Sequence, residues 1–147
     1  MSLNKFTIQK SFAINAGAGS GKTYTLSRRY INAILGFDFF REKGFEDIYF
    51  ENLKQATTKQ IVTITYTEAA ALEMKERIFG LISKILSVDS LDDKDADKSS
   101  ILEAFKILNL EQKNYVINTL QQALVQSSDA KISTIHSFCL DILKTNA

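Results

Sequence analysis

At 147 residues the chain has the length of one domain with a sizeable core. Its 45% hydrophobic and 24% charged content excludes a disordered or fibrous class, and a formal net charge of +1 excludes nucleic-acid binding through an overall basic surface. The one cysteine, Cys139, excludes an internal disulfide framework and a cysteine-based zinc cluster. No apolar run approaches the ~18 residues of a membrane span and no signal-peptide pattern is present, so the expected setting is soluble, reducing and cytoplasmic, without a membrane partner.

The first predicted strand covers residues 11–16, around the apolar Phe12-Ala13-Ile14. It runs into Ala16-Gly17-Ala18-Gly19-Ser20-Gly21-Lys22-Thr23, a phosphate-binding loop with Ala in place of the usual first Gly. The three glycines let the backbone curl until successive N–H groups face inward and cradle phosphate oxygens. The helix N-terminus near Gly21 adds its positive dipole end. Lys22 is placed to reach the outer phosphates, and the Thr23 hydroxyl to ligate Mg²⁺. That helix is expected over about 22–35, with Leu26, Tyr30, Ala33 and Ile34 at helical spacing and Gly36 as its stop. The pair Arg28-Arg29 reads as part of its solvated face.

Residues 37–57 mix aromatics (Phe37, Phe39, Phe40, Phe45, Tyr49, Phe50) with charges and read as a loop with one or two short helices. The phenylalanines there are either core or a face covered by a further part of a longer parent. A second strand, Gln60-Ile61-Val62-Thr63-Ile64-Thr65, is β-branched and free of Gly. The helix after it, about 67–86, puts Ala71, Met74, Ile78, Ile82 and Ile85 on one face. Asp89 to Lys98 reads as a solvated charged loop. Its Asp93-x-Asp95-x-Asp97 imitates a calcium loop but has Lys98 where Gly is needed and Ala104 where Glu is needed.

Ser100 and Glu103 have the spacing of a capping box, opening a helix to about Leu108. A helix over about 111–127 is expected to bury Ile117, Leu120 and Leu124. Lys131-Ile132-Ser133-Thr134-Ile135 is a third short strand, followed by a helix from His136 to Lys144 with Phe138, Leu140, Ile142 and Leu143 apolar and Cys139 a small buried residue. Alternating strands and helices imply an α/β fold with a short parallel sheet flanked by helices, carrying a helical insertion at about 87–129. Ligands gather at the carboxyl ends of such strands. The glycine loop, Thr65-Tyr66-Thr67 and His136-Ser137 all fall on that edge.

Three segments in this order resemble superfamily 1 DNA helicases of the UvrD/Rep/RecB type. Ala16–Thr23 is similar to their motif I, the run from Ile64 to Ile78 containing Thr65-Tyr66-Thr67-Glu68-Ala69-Ala70 to motif Ia, and Ile132-Ser133-Thr134-Ile135-His136-Ser137-Phe138-Cys139 to motif Ib. The Thr-Glu-Ala-Ala wording, the long stretch between the second and third motifs, and the lack of an upstream adenine-recognition glutamine favour the RecB/AddA branch; Gln9 is too near the loop. The resemblance implies a partial RecA-like P-loop domain over residues 1–147, the amino-terminal part of a first motor domain. It implies ATP and Mg²⁺ as cofactors, with Lys22 and Thr23 as catalytic phosphate and metal contacts. The implied partners are single- or double-stranded DNA, the remaining helicase domains and a RecC/AddB-like subunit, in DNA repair and recombination.

Tyr24 occupies the position from which relatives approach the adenine base, and either stacks on the purine or packs in the core. Thr65, Tyr66 and Thr67 match residues that hold single-stranded DNA: hydroxyls bond phosphates, and Tyr66 offers a stacking face unless it covers the core. His136 and Ser137 match the next DNA-facing segment, with a structural role as the alternative for His136.

A motor also needs an acidic pair closing another strand. Glu46-Asp47 and Asp92-Asp93 follow no strand-like run. The expectation is therefore a fragment of a longer helicase/exonuclease, inactive alone. A small P-loop kinase, marked by phosphoryl transfer to a nucleoside, and a non-catalytic nucleotide- or DNA-binding module, marked by no stabilisation with ATP·Mg²⁺, are the alternatives.

Overall fold

The computed structural model of the protein describes residues 4–11, 21–45 and 54–146. Nearly all of the expected first strand lies outside them, together with Ala16, Gly17, Ala18, Gly19 and Ser20 of the glycine loop. Tyr49 and Phe50 lie outside them as well. The described chain forms α1 (Lys22–Leu35), β1 (Val62–Thr65), α2 (Glu68–Leu86), α3 (Lys98–Lys106), α4 (Leu110–Val125), β2 (Lys131–Thr134) and α5 (Ile135–Thr145). Short 3₁₀ turns lie at Val88–Ser90 and Ser127–Asp129.

Local chemistry sets most of these boundaries. Gly36 ends α1 with φ 81° while its N–H bonds the Asn32 carbonyl at 2.8 Å. A Cβ there would lie 2.9 Å from the Gln55 backbone nitrogen, so the turn requires glycine twice over. Thr67 caps α2 by accepting the Ala70 N–H at 3.0 Å, with Glu68 at the positive end of the helix and Lys84 at the negative end.

The expected capping box at Ser100 and Glu103 does not form. Because α3 starts at Lys98, Ser100 falls inside its first turn and donates to the Asp97 carbonyl at 3.0 Å. The reciprocal box belongs to α4, where Asn109 and Gln112 satisfy each other's backbone N–H at 2.9 Å.

β1 and β2 pair in parallel, with Thr65 opposite Thr134 at their carboxyl ends. A parallel pair needs a long crossover, and α2, α3 and α4 supply it. The core sits between α1, α2 and α4, where Ile31, Leu35, Ile78, Ile82, Val116 and Leu120 are fully buried. Phe37, Phe39 and Phe40 plug its end, with Phe39 edge-on to Phe40 at 5.0 Å and to Phe105 at 5.1 Å, so this segment is core.

The buried face of α4 runs through Val116, Leu120 and Ala123; Ile117 and Leu124 are only half-buried, a rotation of one residue from the expected face. On α5, Phe138 is half-buried while Leu140, Ile142, Leu143 and Cys139 are exposed, which corrects the expectation of a buried cysteine. Val62 and Ile64 of β1 are likewise nearly half exposed.

Two buried polar residues of α1 behave oppositely. The Asn32 side chain donates to the Phe6 carbonyl at 2.9 Å and the Phe40 carbonyl at 3.0 Å, and accepts the Phe40 N–H at 2.9 Å. It thereby ties both the 4–8 segment and the 37–40 segment to the helix. The Tyr30 hydroxyl is buried without a hydrogen bond, and burial pushes its phenol up to about 12.

Stranding three backbone groups, Asn32→Ala should cost about 3 kcal/mol in urea unfolding. Tyr30→Phe should instead gain about 1 kcal/mol by removing an unpaired hydroxyl. An unaffected Asn32→Ala or a destabilised Tyr30→Phe would overturn this account of the core.

Candidate functional site

The first turn of α1 carries the part of the glycine loop that the structure describes. Gly21 precedes it in the left-handed region (φ 56°), and the helix has neither a side-chain cap nor an acidic residue in its first turn. α3 shares both of these absences, whereas α2, α4 and α5 are capped by Thr67, Asn109 and Thr134. Among the described residues no side chain caps the leading N–H groups of α1, and the exposed Lys22 adds a full charge beside them. Thr23 follows, half-buried. Backbone amides with Lys for anionic oxygens, and a hydroxyl for a hard cation, form a donor set that fits a polyphosphate chain with Mg²⁺.

Tyr24, the next residue, is 41% exposed. It is neither a free surface ring nor a core ring. One face lies on the Arg28 guanidinium, whose carbon is 3.5 Å from the ring centroid, and Phe6 tilts against it at 5.9 Å. Arg28, expected on a solvated face, is itself 2% exposed.

The second cluster occupies the carboxyl edge of the β1–β2 pair. The register of Thr65 with Thr134 brings Tyr66-Thr67 and His136-Ser137 out at the same end of the sheet. Tyr66 is 99% exposed, which excludes a role as a core cover. His136 is exposed on the first turn of α5. The Thr65 hydroxyl donates to the Thr67 carbonyl at 3.1 Å, and that of Thr67 serves as the α2 cap.

Ser137 donates from Oγ to Glu68 Oε1 at 3.0 Å and from its N–H to Thr134 Oγ1 at 3.2 Å. Glu68 thus braces the start of α5 against the start of α2. It belongs to the Thr65–Ala70 run, but nothing in the run itself marks a partner 69 positions away.

A family model described as the UvrD/REP helicase N-terminal domain matches residues 3–147. The chain belongs to this family. Among curated proteins it is 34% identical over 134 residues to "RecBCD enzyme subunit RecB" of Buchnera aphidicola subsp. Schizaphis graminum, covering 90% of this chain and 10% of that protein. It is 29% and 33% identical over 141 residues to the A-type subunits of the ATP-dependent helicase/nuclease of Clostridium kluyveri and of Clostridium botulinum. In both, the match covers 96% of this chain and 8% of the relative. The chain therefore spans a tenth or less of these relatives. Among its described residues no helix is long and apolar enough to cross a membrane.

In this helicase domain the charged loop before α3 is exposed at Asp92, Asp93 and Lys94, as expected of a solvated run, but also carries an ion-pair network. Asp97 accepts from Arg28 Nη2 at 2.9 Å and from Lys84 Nζ at 2.9 Å. Lys84 also reaches Asp95 at 3.1 Å, and Asp93 pairs with Lys98 at 2.7 Å. Burial works to raise the Asp97 carboxyl, but the Lys84 and Arg28 hydrogen bonds and charges outweigh it and hold it below the usual carboxylate range. Asp95 is lowered by the Asp97 N–H and then by Lys84. Lys84 is raised by its bond to Asp97, against a smaller opposing effect of burial.

Depressed carboxyls stabilise the fold above their unfolded pKa and lose that contribution as pH falls through the folded value. The raised Lys84 contributes fully below its unfolded pKa and loses that contribution as pH rises through its folded value. Stability from this network should therefore be level between about pH 5 and pH 10 and fall on the acid side below about pH 4. Asp97→Asn should cost about 2 kcal/mol at pH 7 and flatten the acid limb of a denaturation-against-pH profile. An unchanged acid limb would remove Asp97 from the network.

Proposed function

We propose that the chain is the ATP-binding amino-terminal segment of the first motor domain of a RecB/AddA-like DNA helicase/nuclease subunit. The observation that carries the reading is the start of α1: left-handed Gly21, a first turn without side-chain cap or acidic residue, and exposed Lys22 followed by Thr23. With Ala16, Gly17, Ala18, Gly19 and Ser20 ahead of them, these residues hold the nucleotide phosphates. Lys22 neutralises charge on the outer phosphates, and the Thr23 hydroxyl ligates Mg²⁺. Tyr24 lies against the base. ATP·Mg²⁺ supplies the phosphoanhydride whose hydrolysis drives movement along DNA.

On the sheet edge, Tyr66 stacks a base of single-stranded DNA. Thr65, Thr67, His136 and Ser137 line the backbone track, with Glu68 fixing the two segments relative to each other. The charge balance of +1 suits a track made of stacking and hydroxyl contacts instead of an electrostatic flood. The partners proposed are DNA, the further motor domains and a second subunit of the RecC/AddB kind, in a cytoplasmic setting and in DNA repair and recombination. The described residues hold no acidic pair at a strand end, so this segment binds and orients the nucleotide and is not assigned the activation of water.

Two substitutions in the whole protein test the reading separately. Lys22→Ala should lower DNA-stimulated ATP hydrolysis by about 100-fold or more, the order lost with one transition-state cation. Retained hydrolysis would refute the phosphate site. Tyr66→Ala should weaken single-stranded DNA binding by about 1–3 kcal/mol without affecting fold stability, because the ring is exposed. Unchanged affinity in a fluorescence-anisotropy titration would remove Tyr66 from the DNA track.

A further inference from the structure

Arg28 is the most buried ionic group among the described residues that the nucleotide and DNA contacts leave unused. It stands four residues after Tyr24 on α1, so the two side chains share a face of the helix. Its guanidinium carbon lies 3.5 Å from the Tyr24 ring centroid and 5.0 Å from that of Phe40. Nη2 donates to Asp97 Oδ1 at 2.9 Å and to Ser100 Oγ at 3.3 Å, while Nε has no hydrogen-bond partner. Asp97 is held in turn by Lys84. The fork is thus fixed edge-on by α3 and face-on by two rings.

A buried ion pair is a poor way merely to join two helices, because desolvation offsets much of its attraction and apolar side chains would do the same work. What an aliphatic residue would not supply is a flat, immobile, cationic surface under an aromatic ring. The ring above it is 41% exposed and sits immediately after Lys22 and Thr23.

We propose that Arg28 is a positioning residue for nucleotide-base recognition: locked by Asp97, it holds the Tyr24 ring as a rigid platform on which a purine stacks. The proposal rests on the nucleotide reading above and deepens it. Its consequence is that α3 and the loop before it set affinity for the base through Arg28 without touching the nucleotide. Rigidity is the contribution: a ring already immobilised has little conformational freedom left to lose when a base settles on it.

The test compares ATP·Mg²⁺ with inorganic tripolyphosphate·Mg²⁺ by calorimetry on the full chain, since the second probe has phosphates and no base. Arg28→Met and Tyr24→Ala should each weaken ATP by about 5- to 10-fold and leave tripolyphosphate within about twofold. Arg28→Lys, which keeps the charge and loses the plane, should behave like Arg28→Met. Asp97→Asn preserves shape and removes the lock, so it provides the same readout if Arg28→Met does not fold. It should cost ATP about threefold, again with little change for tripolyphosphate.

A parallel loss of both probes in the Arg28 and Asp97 variants would show a general structural role and overturn the proposal. A ratio unaffected by Tyr24→Ala would overturn the base platform while leaving the phosphate site standing. Failure of the unaltered chain to bind either probe would refute the phosphate site and this proposal with it.

Discussion

The parallel pairing of Val62–Thr65 with Lys131–Thr134 is the constraint on which the arrangement at the sheet edge depends. Side chains alternate strictly along a strand, so a slip of one residue would reverse the faces of β2 and move the start of α5 by one rise. With Thr65 opposite Thr134, both strands stop level and both following helices begin at one edge. Glu68 then accepts from Ser137 and couples the two helix starts directly. A separation of 66 positions between Thr134 and Glu68 becomes one side-chain contact. The helices between the strands are the crossover that parallel pairing demands, and α4 packs into the core along with α1 and α2.

Local signals made much of this legible in the sequence. The stop of α1 was marked by Gly36, the face of α2 by Ala71, Met74, Ile78, Ile82 and Ile85, and both described strands by their β-branched runs. The glycine loop and its two companion segments pointed to the right family and order. Failures came where a local pattern met a competing tertiary claim. Asp97, 69 positions from Arg28, draws that residue into the interior, and no pattern within α1 marks a partner so distant. Ser100 lost its capping role because α3 begins three residues earlier than a box would require. The α4 face was off by one residue because Ile117 and Leu124 are as apolar as the residues that displaced them.

The second class of difference concerns exposure. The apolar residues of α5 and the β-branched run of β1 mark these segments as apolar, yet Leu140, Ile142, Leu143, Val62 and Ile64 are open to solvent. A pattern reports which side is apolar; burial needs something to pack against it. Parallel sheets are ordinarily covered on both faces, and this chain spans a tenth or less of the relatives it matches. Cys139 follows the same logic, since its exposure reflects the open side of α5 and not any chemistry of the thiol.

The depth of the Arg28–Asp97 pair has a further consequence for ionic strength. Dissolved ions screen charges that they can approach, over about 8 Å at physiological concentration, and affect enclosed ones far less. Contacts such as Lys59 with Asp129, whose side chains are 68% and 45% accessible, weaken readily in added electrolyte. With the guanidinium side chain only 3% accessible, the joint between α1 and α3 is shielded from the same ions. Concentrated salt thus loosens the periphery of the molecule and leaves the seat of Tyr24 in place.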